Sequence, residues 1–216
     1  MSSASPNQRP VAVFVCDIQE KFRNAIYQFD QVVSTSRKVL RAAQVLDIPV
    51  FVTTQNRARL GNTVSELASL LAFDSADTRE AGPKLAQVVV DADKTRFSMY
   101  VPEVQAALNK FSPSAAVVIV GIESHICVTQ TALDLLAAQH RVYVLADGVS
   151  SCNPQEISVA LDRLRAAGAT VTTSESWIYE HVGDASKPEF RNIISLVKDT
   201  SNDTKTALSA LLPGKI

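Results

Sequence analysis

The sequence predicts a three-layer α/β fold, in which a six-stranded parallel sheet with the Rossmann-like strand order 3-2-1-4-5-6 lies between two layers of helices. Strand-like apolar runs alternate with helical patterns six times along the chain, as in proteins built from strand–helix–strand units with right-handed crossovers. The runs VAVFVC and VVIV are apolar at every position, which is typical of parallel strands that are covered on both faces. With 46% hydrophobic and 20% charged residues, the chain has the composition of a globular protein with a sizeable core.

Each strand is predicted from a short apolar run rich in β-branched residues, and each helix from apolar residues at three- and four-residue spacing. The predicted strands are residues 11–16, 48–54, 86–90, 116–121, 141–146 and 169–173. The predicted helices are residues 29–46, 102–111, 126–139 and 153–167, followed by two short helices at 175–181 and 188–196. A proline in the first turn supports the helices that begin near Pro102 and Asn153, and Gly168 is a stop signal for the second of these.

The chain is predicted to contain one domain, over residues 11–198. Residues 1–10 are expected to be disordered, and the polar residues 199–216 are expected to form a C-terminal tail that frays. The stretch 55–78 is polar and irregular, and loops of this length in compact α/β domains are often functional.

Charge and composition exclude several classes of partner. The net charge of −1 gives no electrostatic argument for binding nucleic acid or a membrane surface, and no apolar run is long enough to span a bilayer. The first ten residues resemble neither a signal peptide nor a transit peptide, so a cytoplasmic location is expected. The three cysteines lack the spacing of a metal site or a disulfide framework, and their odd number suits a reducing compartment. No G-x-G-x-x-G follows the first strand, so a dinucleotide site is not expected, and no cofactor is predicted.

The chemistry of open α/β sheets gathers at the carboxyl ends of the strands, and three such ends carry Asp17, Lys94 and Cys127. Cys127 lies where the fourth strand gives way to a helix, and a helix N-terminus lowers the pKa of a thiol. Each residue also has a plain structural explanation: a small buried cysteine, a carboxylate that caps the next segment, and a lysine in a solvated charged turn. Further strand ends carry Gln55, Asn56 and Asp147, the last of which is most simply a turn residue.

Taken together, the three residues make chemical sense. A carboxylate can accept the thiol proton, and an ammonium group can offset that carboxylate and stabilise the thiolate. Backbone N–H groups at the helix start can hold an oxyanion. The set therefore has the composition of an activated nucleophile.

Three segments resemble the isochorismatase-like cysteine hydrolase family: VFVCDIQEKF, DKTRFSMY and VVIVGIESHICV. They match its D-x-Q-x-x-F, K-x-x-[YF]-S and V-x-G-x-x-x-x-x-C-V signatures, and the GIE-x-H-x-C form is closest to the isochorismatase domain-containing, MAR1-like branch. The resemblance implies a catalytic triad of Asp17, Lys94 and Cys127 and a cis peptide between Ile122 and Glu123. It also implies an oxyanion hole made of the backbone N–H groups of Glu123 and Cys127. In the mechanism that it implies, the Cys127 thiolate attacks an amide carbonyl, ammonia leaves, and water cleaves the thioester.

Departures from the family signatures narrow the prediction. Metal-binding members carry D-x-H and a further histidine after the second strand, where this chain reads TTQNRARLG, so no metal is predicted. The nucleophilic cysteine disfavours cleavage of a vinyl ether, so hydrolysis of an ester or a vinyl ether at the same site is only a third, less favoured prediction. His125 and Cys152 are interpreted as structural or inert, and Cys16 as a core residue facing away from Asp17. The residues proposed to line a pocket are Gln19, Phe22, Gln55 and Phe97.

The function predicted first is a metal-independent cysteine hydrolase of a small amide or related C–N bond. The alternative is a catalytically weak member of the family that acts as a protein-interaction module. The only ligand expected is a small-molecule substrate. A homo-oligomer, either a dimer or a tetramer, is also expected, with the apolar segment ALSALL near the C-terminus as a contact strip.

Overall fold

A computed structural model describes residues 9–72 and 85–212 of the chain. In these residues one parallel sheet of seven strands has the order β3-β4-β2-β1-β5-β6-β7. Its strands are β1 (Val11–Cys16), β2 (Val50–Gln55), β3 (Leu71–Ala72), β4 (Ala86–Lys94), β5 (Ala116–Ile122), β6 (Arg141–Ser150) and β7 (Thr170–Thr172).

The predicted α/β fold and strand order are confirmed, with one strand more than expected. The six predicted strands follow one another across the sheet in the order 3-2-1-4-5-6, and the additional strand, Leu71–Ala72, pairs with the start of β4 at the edge. A strand of two residues is too short to show any periodicity in a sequence. Two predicted strands also end too early, because β4 continues to Lys94 and β6 to Ser150.

Helices cover both faces of the sheet. They are α1 (Phe29–Leu46), α2 (Arg57–Leu60), α3 (Ser65–Ala68), α4 (Pro102–Phe111), α5 (Thr129–Ala137), α6 (Pro154–Ala166), α7 (Ser174–Val182), α8 (Phe190–Asp199) and α9 (Ser201–Leu211). The short helices α2 and α3 lie within the stretch that is predicted to be irregular, and its residues 73–78 lie outside the described residues. None of the helices in the described residues is long and apolar enough to cross a membrane.

The core consists of two clusters, one on each face of the sheet. The α1-side cluster joins Val13 and Val15 of β1 to apolar side chains of α1, α7, α8 and α9. The α5-side cluster joins Phe14 and Cys16 of the same strand to α4, α5 and α6. Alternate residues of one strand therefore enter opposite clusters, as the apolar runs of the sequence predict for a sheet that is covered on both faces.

The C-terminal region differs from the fraying tail expected after Lys198. Helix α9 packs against α1 with Ala207 and Leu211 buried, and the buried Lys38 Nζ donates a 2.8 Å hydrogen bond to Thr204 Oγ1. Its apolar residues recur at three- and four-residue spacing among polar ones, a pattern that the polar composition of the segment hides. Ala207 and Leu211 of ALSALL are thus buried within the protein, so they are not available to the proposed contact strip. Residues 1–8 and 213–216 lie outside the described residues.

Candidate active site

The three predicted site residues lie at the carboxyl edge of the sheet. Asp17 directly follows β1, Lys94 ends β4, and Cys127 lies in a π-helical turn, Ser124–Val128, between β5 and α5. Strand β5 lies next to β1, and β2 separates β1 from β4. Gly121 allows β5 to approach β1 closely, since a Cβ atom there would lie 2.1 Å from the backbone oxygen of Cys16. Its φ of +126° is also one that other residues rarely adopt.

A buried ion pair is the electrostatic centre of this edge. Lys94 Nζ lies 2.6 Å from Asp17 Oδ2, and the two residues are only 4% and 1% exposed. The ammonium group also donates to Gln55 Oε1 at 2.7 Å and to the backbone oxygens of Arg96 at 3.1 Å and Phe97 at 2.9 Å. Three segments of the chain therefore surround one positive charge.

The charges around Lys94 determine its protonation. Burial lowers the pKa of Lys94, but interactions with the neighbouring Cys16, Asp17 and Cys127 side chains, including the hydrogen bond to Asp17, raise it by more, so that the net shift is upward. Lys94 consequently keeps its proton at neutral pH.

Hydrogen bonds within the turn and from the neighbouring loop hold the turn that contains Cys127. The peptide bond between Ile122 and Glu123 is cis, and the backbone oxygen of Glu123 accepts a 3.1 Å hydrogen bond from the N–H of Val128. Thr131 Oγ1 donates to the backbone oxygen of Cys127 at 2.6 Å and accepts from the N–H of Met99 at 2.8 Å. Thr131 thereby joins the turn that carries the cysteine to the loop that follows Lys94.

Cys16 is buried in the α5-side cluster, as the strand pattern predicts, but it also contacts the ion pair. Strict alternation along β1 turns it away from Asp17, but Asp17 has a left-handed φ of +52° that ends the regular strand. The Cys16 thiol instead donates to Asp17 Oδ2 at 3.7 Å. Burial raises the pKa of Cys16 well above its usual value, and a hydrogen bond with Cys127 and the charge of Asp17 act in the same direction. Cys16 is therefore a buried thiol that contacts the ion pair and stays protonated at neutral pH.

The four predicted pocket residues have different surroundings. Gln55 contacts Lys94 directly, whereas Gln19 is fully buried and holds the backbone instead. The side chain of Gln19 accepts from the N–H of Gln55 at 2.7 Å and donates to the backbone oxygen of Gly61 at 2.7 Å. The side chain of Phe97 is 50% exposed next to the site, and Phe22 is half-buried against the α1-side cluster. Gln19 is therefore a positioning residue for the end of β2.

Asp147 does not belong to the site or to a turn. It lies within β6, fully buried, where its carboxylate accepts hydrogen bonds from the N–H and the hydroxyl of Ser174. Lys38 Nζ lies 4.0 Å from its Oδ2 atom. Asp147 and Lys38 together join the sheet to three helices of one layer, α1, α7 and α9.

A polar cluster lies beside the cysteine turn. The Glu123 carboxylate accepts a 2.8 Å hydrogen bond from the N–H of Cys152, and His125 Nδ1 lies 2.9 Å from Ser151 Oγ. A hydrogen bond with Glu123 raises the pKa of the exposed Cys152 thiol. The cysteine turn and the end of β6 are thus in contact through polar groups.

A protein-family model described as "Isochorismatase domain" matches residues 11–176, so the chain belongs to the isochorismatase family. The secreted isochorismatase effector Isc1 of Phytophthora sojae is 42% identical over 188 residues, which are 87% of this chain and 84% of that protein. Isochorismatase domain-containing protein 1 of Salmo salar is 39% identical over 191 residues. Those residues are 88% of this chain and 62% of the salmon protein, so the chain spans less than two thirds of that relative.

Solved structures support the same assignment. A protein described as MAR1 ribonuclease from Caenorhabditis elegans has a TM-score of 0.76 and 37% identity, over 90% of this chain and 93% of that one. The resemblance that three short motifs indicate is therefore confirmed for the family and for its branch. The conclusion at this level is an isochorismatase-like hydrolase.

Proposed function

We propose that this protein is a metal-independent cysteine hydrolase that cleaves a small amide or related C–N bond through a thioester on Cys127. The observation that supports it most directly is the buried Lys94–Asp17 pair, which lies close enough to Cys127 for thiolate charge to raise the pKa of Lys94. A buried charge pair costs desolvation energy, and strongly interacting buried charges cluster at functional sites.

In the proposed reaction Asp17 takes the proton of the Cys127 thiol, and the thiolate attacks the carbonyl carbon of the substrate. The oxyanion accepts hydrogen bonds from the N–H groups of Glu123 and Cys127. The C–N bond breaks as Asp17 returns its proton to the departing amine. A water molecule, deprotonated by Asp17, then attacks the thioester, releasing the carboxylic acid and restoring the thiol.

Lys94 stays protonated throughout this scheme and transfers no proton. Its raised pKa and its four acceptors keep it charged, so that it orients Asp17 and lowers the energy of the thiolate. Gln55 and the loop after β4 supply the remaining acceptors and fix the position of the ammonium group.

The decisive experiment compares two cysteine variants on a panel of small primary amides, with ammonia release as the readout. Cys127→Ala should lose turnover completely, whereas Cys152→Ala should keep it, because Cys152 is exposed and does not contact the ion pair. Mass spectrometry of a rapidly quenched reaction should show an acyl group on the peptide that contains Cys127. Full turnover by a folded Cys127→Ala protein would refute the proposal.

We propose that hydrolysis needs no metal. The support lies in the sequence after β2, TTQNRARLG, which offers neither the aspartate nor the histidine of the metal-binding members. Treatment with a strong chelator should leave the rate of ammonia release unchanged. A lost rate that returns with added metal would contradict this part of the proposal.

A small molecule is the proposed substrate class, although one solved relative is described as a ribonuclease. The chain has 21 basic and 22 acidic residues, which gives little attraction for a polyanion. A short RNA belongs in the substrate panel as the comparison. Cleavage of RNA that depends on Cys127 would overturn the assignment to small molecules.

An interaction module with weak turnover is the second candidate, because Asp17, Lys94 and Cys127 are 1%, 4% and 7% exposed. If that candidate is correct, alkylation of Cys127 by iodoacetamide should be no faster than that of Cys16 at any pH. Alkylation that stays fast well below the ordinary thiol pKa of about 8.5 supports the hydrolase.

We also propose a cytoplasmic homo-oligomer, either a dimer or a tetramer. Val89 on β4 and Val159 on α6 are exposed apolar side chains that an interface could cover. Light scattering at micromolar concentration should give a multiple of the 23.3 kDa chain mass, and a monomeric mass would contradict the proposal. Fractionation of the source cells tests the location.

A further inference from the structure

A second cluster of reactive side chains lies next to the proposed active site and has no function in the proposed hydrolysis. It consists of the carboxylate of Glu123, a ring nitrogen of His125 and the thiol of Cys152, whose ligand atoms all lie within 4.8 Å of one another. Carboxylate, imidazole and thiolate are the three ligand types that Zn²⁺ binds in proteins. We propose that these residues form a binding site for a thiophilic divalent cation of the Zn²⁺ class.

The geometry requires only a small adjustment. In a tetrahedral zinc site the ligand atoms lie on the order of 3.5 Å apart, because each is about 2.0–2.3 Å from the metal. Side-chain rotations that draw the three atoms together by about 1 Å therefore close the site. Cys152 is exposed and the other two residues are half-buried, so an ion can enter from solvent.

The surroundings already orient two of the three ligands. The Glu123 carboxylate is fixed through one oxygen, Oε2, by the backbone N–H of Cys152, and a carboxylate has further lone pairs for a metal. His125 is held by Ser151 Oγ at 2.9 Å from Nδ1. Hydrogen bonds of this kind are the outer-shell contacts that orient metal ligands in known sites.

The site differs from the metal position of metal-binding family members, which follows the second strand. Here two ligands precede Cys127 by four and two residues, and the third follows β6. Three protein ligands leave a fourth position for water. A bound ion would link the cysteine turn to the end of β6, without taking part in the hydrolysis proposed above.

The test uses the reduced, metal-free whole protein, titrated with Zn²⁺ against a chromogenic chelator and separately with Co²⁺. We expect one equivalent of Zn²⁺ to bind with micromolar or stronger affinity, and Co²⁺ to give a thiolate-to-metal charge-transfer band. Cys152→Ser should weaken Zn²⁺ binding by at least about tenfold and abolish the band, since replacing even outer-shell partners costs about 10–100-fold. His125→Gln should weaken it similarly.

Cys127→Ser is the matched control, because it makes the same substitution at the neighbouring thiol and should bind Zn²⁺ like the natural protein. Circular dichroism and urea unfolding establish that each variant is folded. The proposal is overturned if Cys152→Ser binds Zn²⁺ unchanged, if Cys127→Ser loses the charge-transfer band, or if the natural protein binds no Zn²⁺ at micromolar concentrations. None of these readouts depends on turnover, so the metal site and the proposed hydrolase are tested separately.

Discussion

Replacing Lys94 by methionine tests how much the buried Asp17–Lys94 ion pair contributes to the stability of the protein. Methionine has a similar length but no charge, so Lys94→Met leaves Asp17 as a carboxylate that is 1% exposed. Thr53 Oγ1 still donates to Asp17 Oδ1 at 2.8 Å, but that donor is neutral. Three other oxygen acceptors also lose the Lys94 ammonium group as their hydrogen-bond donor; they belong to Gln55, Arg96 and Phe97.

The expected loss of stability is large. Breaking a buried ion pair by removing one partner costs about 3–5 kcal/mol, because the remaining charge stays desolvated. Arg57→Met is the matched control, since Arg57 Nη2 also lies 2.6 Å from a carboxylate oxygen, that of Asp91. Those side chains are 35% and 28% exposed, and partly exposed pairs of this kind contribute only about 0–1 kcal/mol.

Urea unfolding, followed through the fluorescence of the single tryptophan, Trp177, measures both losses. The double variant Asp17→Asn/Lys94→Met removes both charges, and its loss should be smaller than the sum of the single losses by at least about 1 kcal/mol. The reasoning fails if Lys94→Met and Arg57→Met lose the same stability. It also fails if the loss of stability in the double variant equals the sum of the losses in Asp17→Asn and Lys94→Met.

Two further predictions concern the scaffold. Gly121→Ala should destabilise the protein by at least about 3 kcal/mol, because the added Cβ atom clashes with the backbone and the φ is unfavourable for alanine. Gly168→Ala should cost only about 1 kcal/mol, because nothing lies within 4 Å of its Cβ position. Equal urea midpoints for the two variants would contradict this. Burial and the charge of Arg9 lower the pKa of His140, whose Nδ1 accepts from the N–H of Ala115, so the unfolded chain binds the proton more readily. The unfolding free energy should therefore fall as pH drops below about 6.5, less steeply in His140→Gln, and an unchanged slope in that variant would refute the assignment.

The sequence predicts the parts of this fold that depend on periodicity. Short β-branched runs such as VVIV are typical of strands covered on both faces, and their alternation with helices predicts a parallel sheet whose carboxyl edge collects Asp17, Lys94 and Cys127. The confirmed strand order and family follow from these patterns and from the motifs around the same residues.

The features that the sequence does not reveal depend on single dihedral angles or on tertiary partners. The left-handed φ of Asp17 ends the strand alternation, so the Asp17 carboxylate lies within reach of the Cys16 thiol, and no alternation rule contains that angle. Gln19 resembles a pocket residue until its bonds to the backbone of Gln55 and Gly61 are seen. Asp147 resembles a turn residue because its partners, Lys38 and Ser174, are distant in sequence.

The long sequence separation within the ion pair has a consequence for biosynthesis. Asp17 and Lys94 are 77 residues apart, and β2 must lie between their strands before they can meet. A ribosome-bound chain that ends before β4 therefore contains Asp17 but no ammonium group beside it, and Cys127 emerges later still. The ion pair can therefore form only after β4 has been synthesised and has paired with β2.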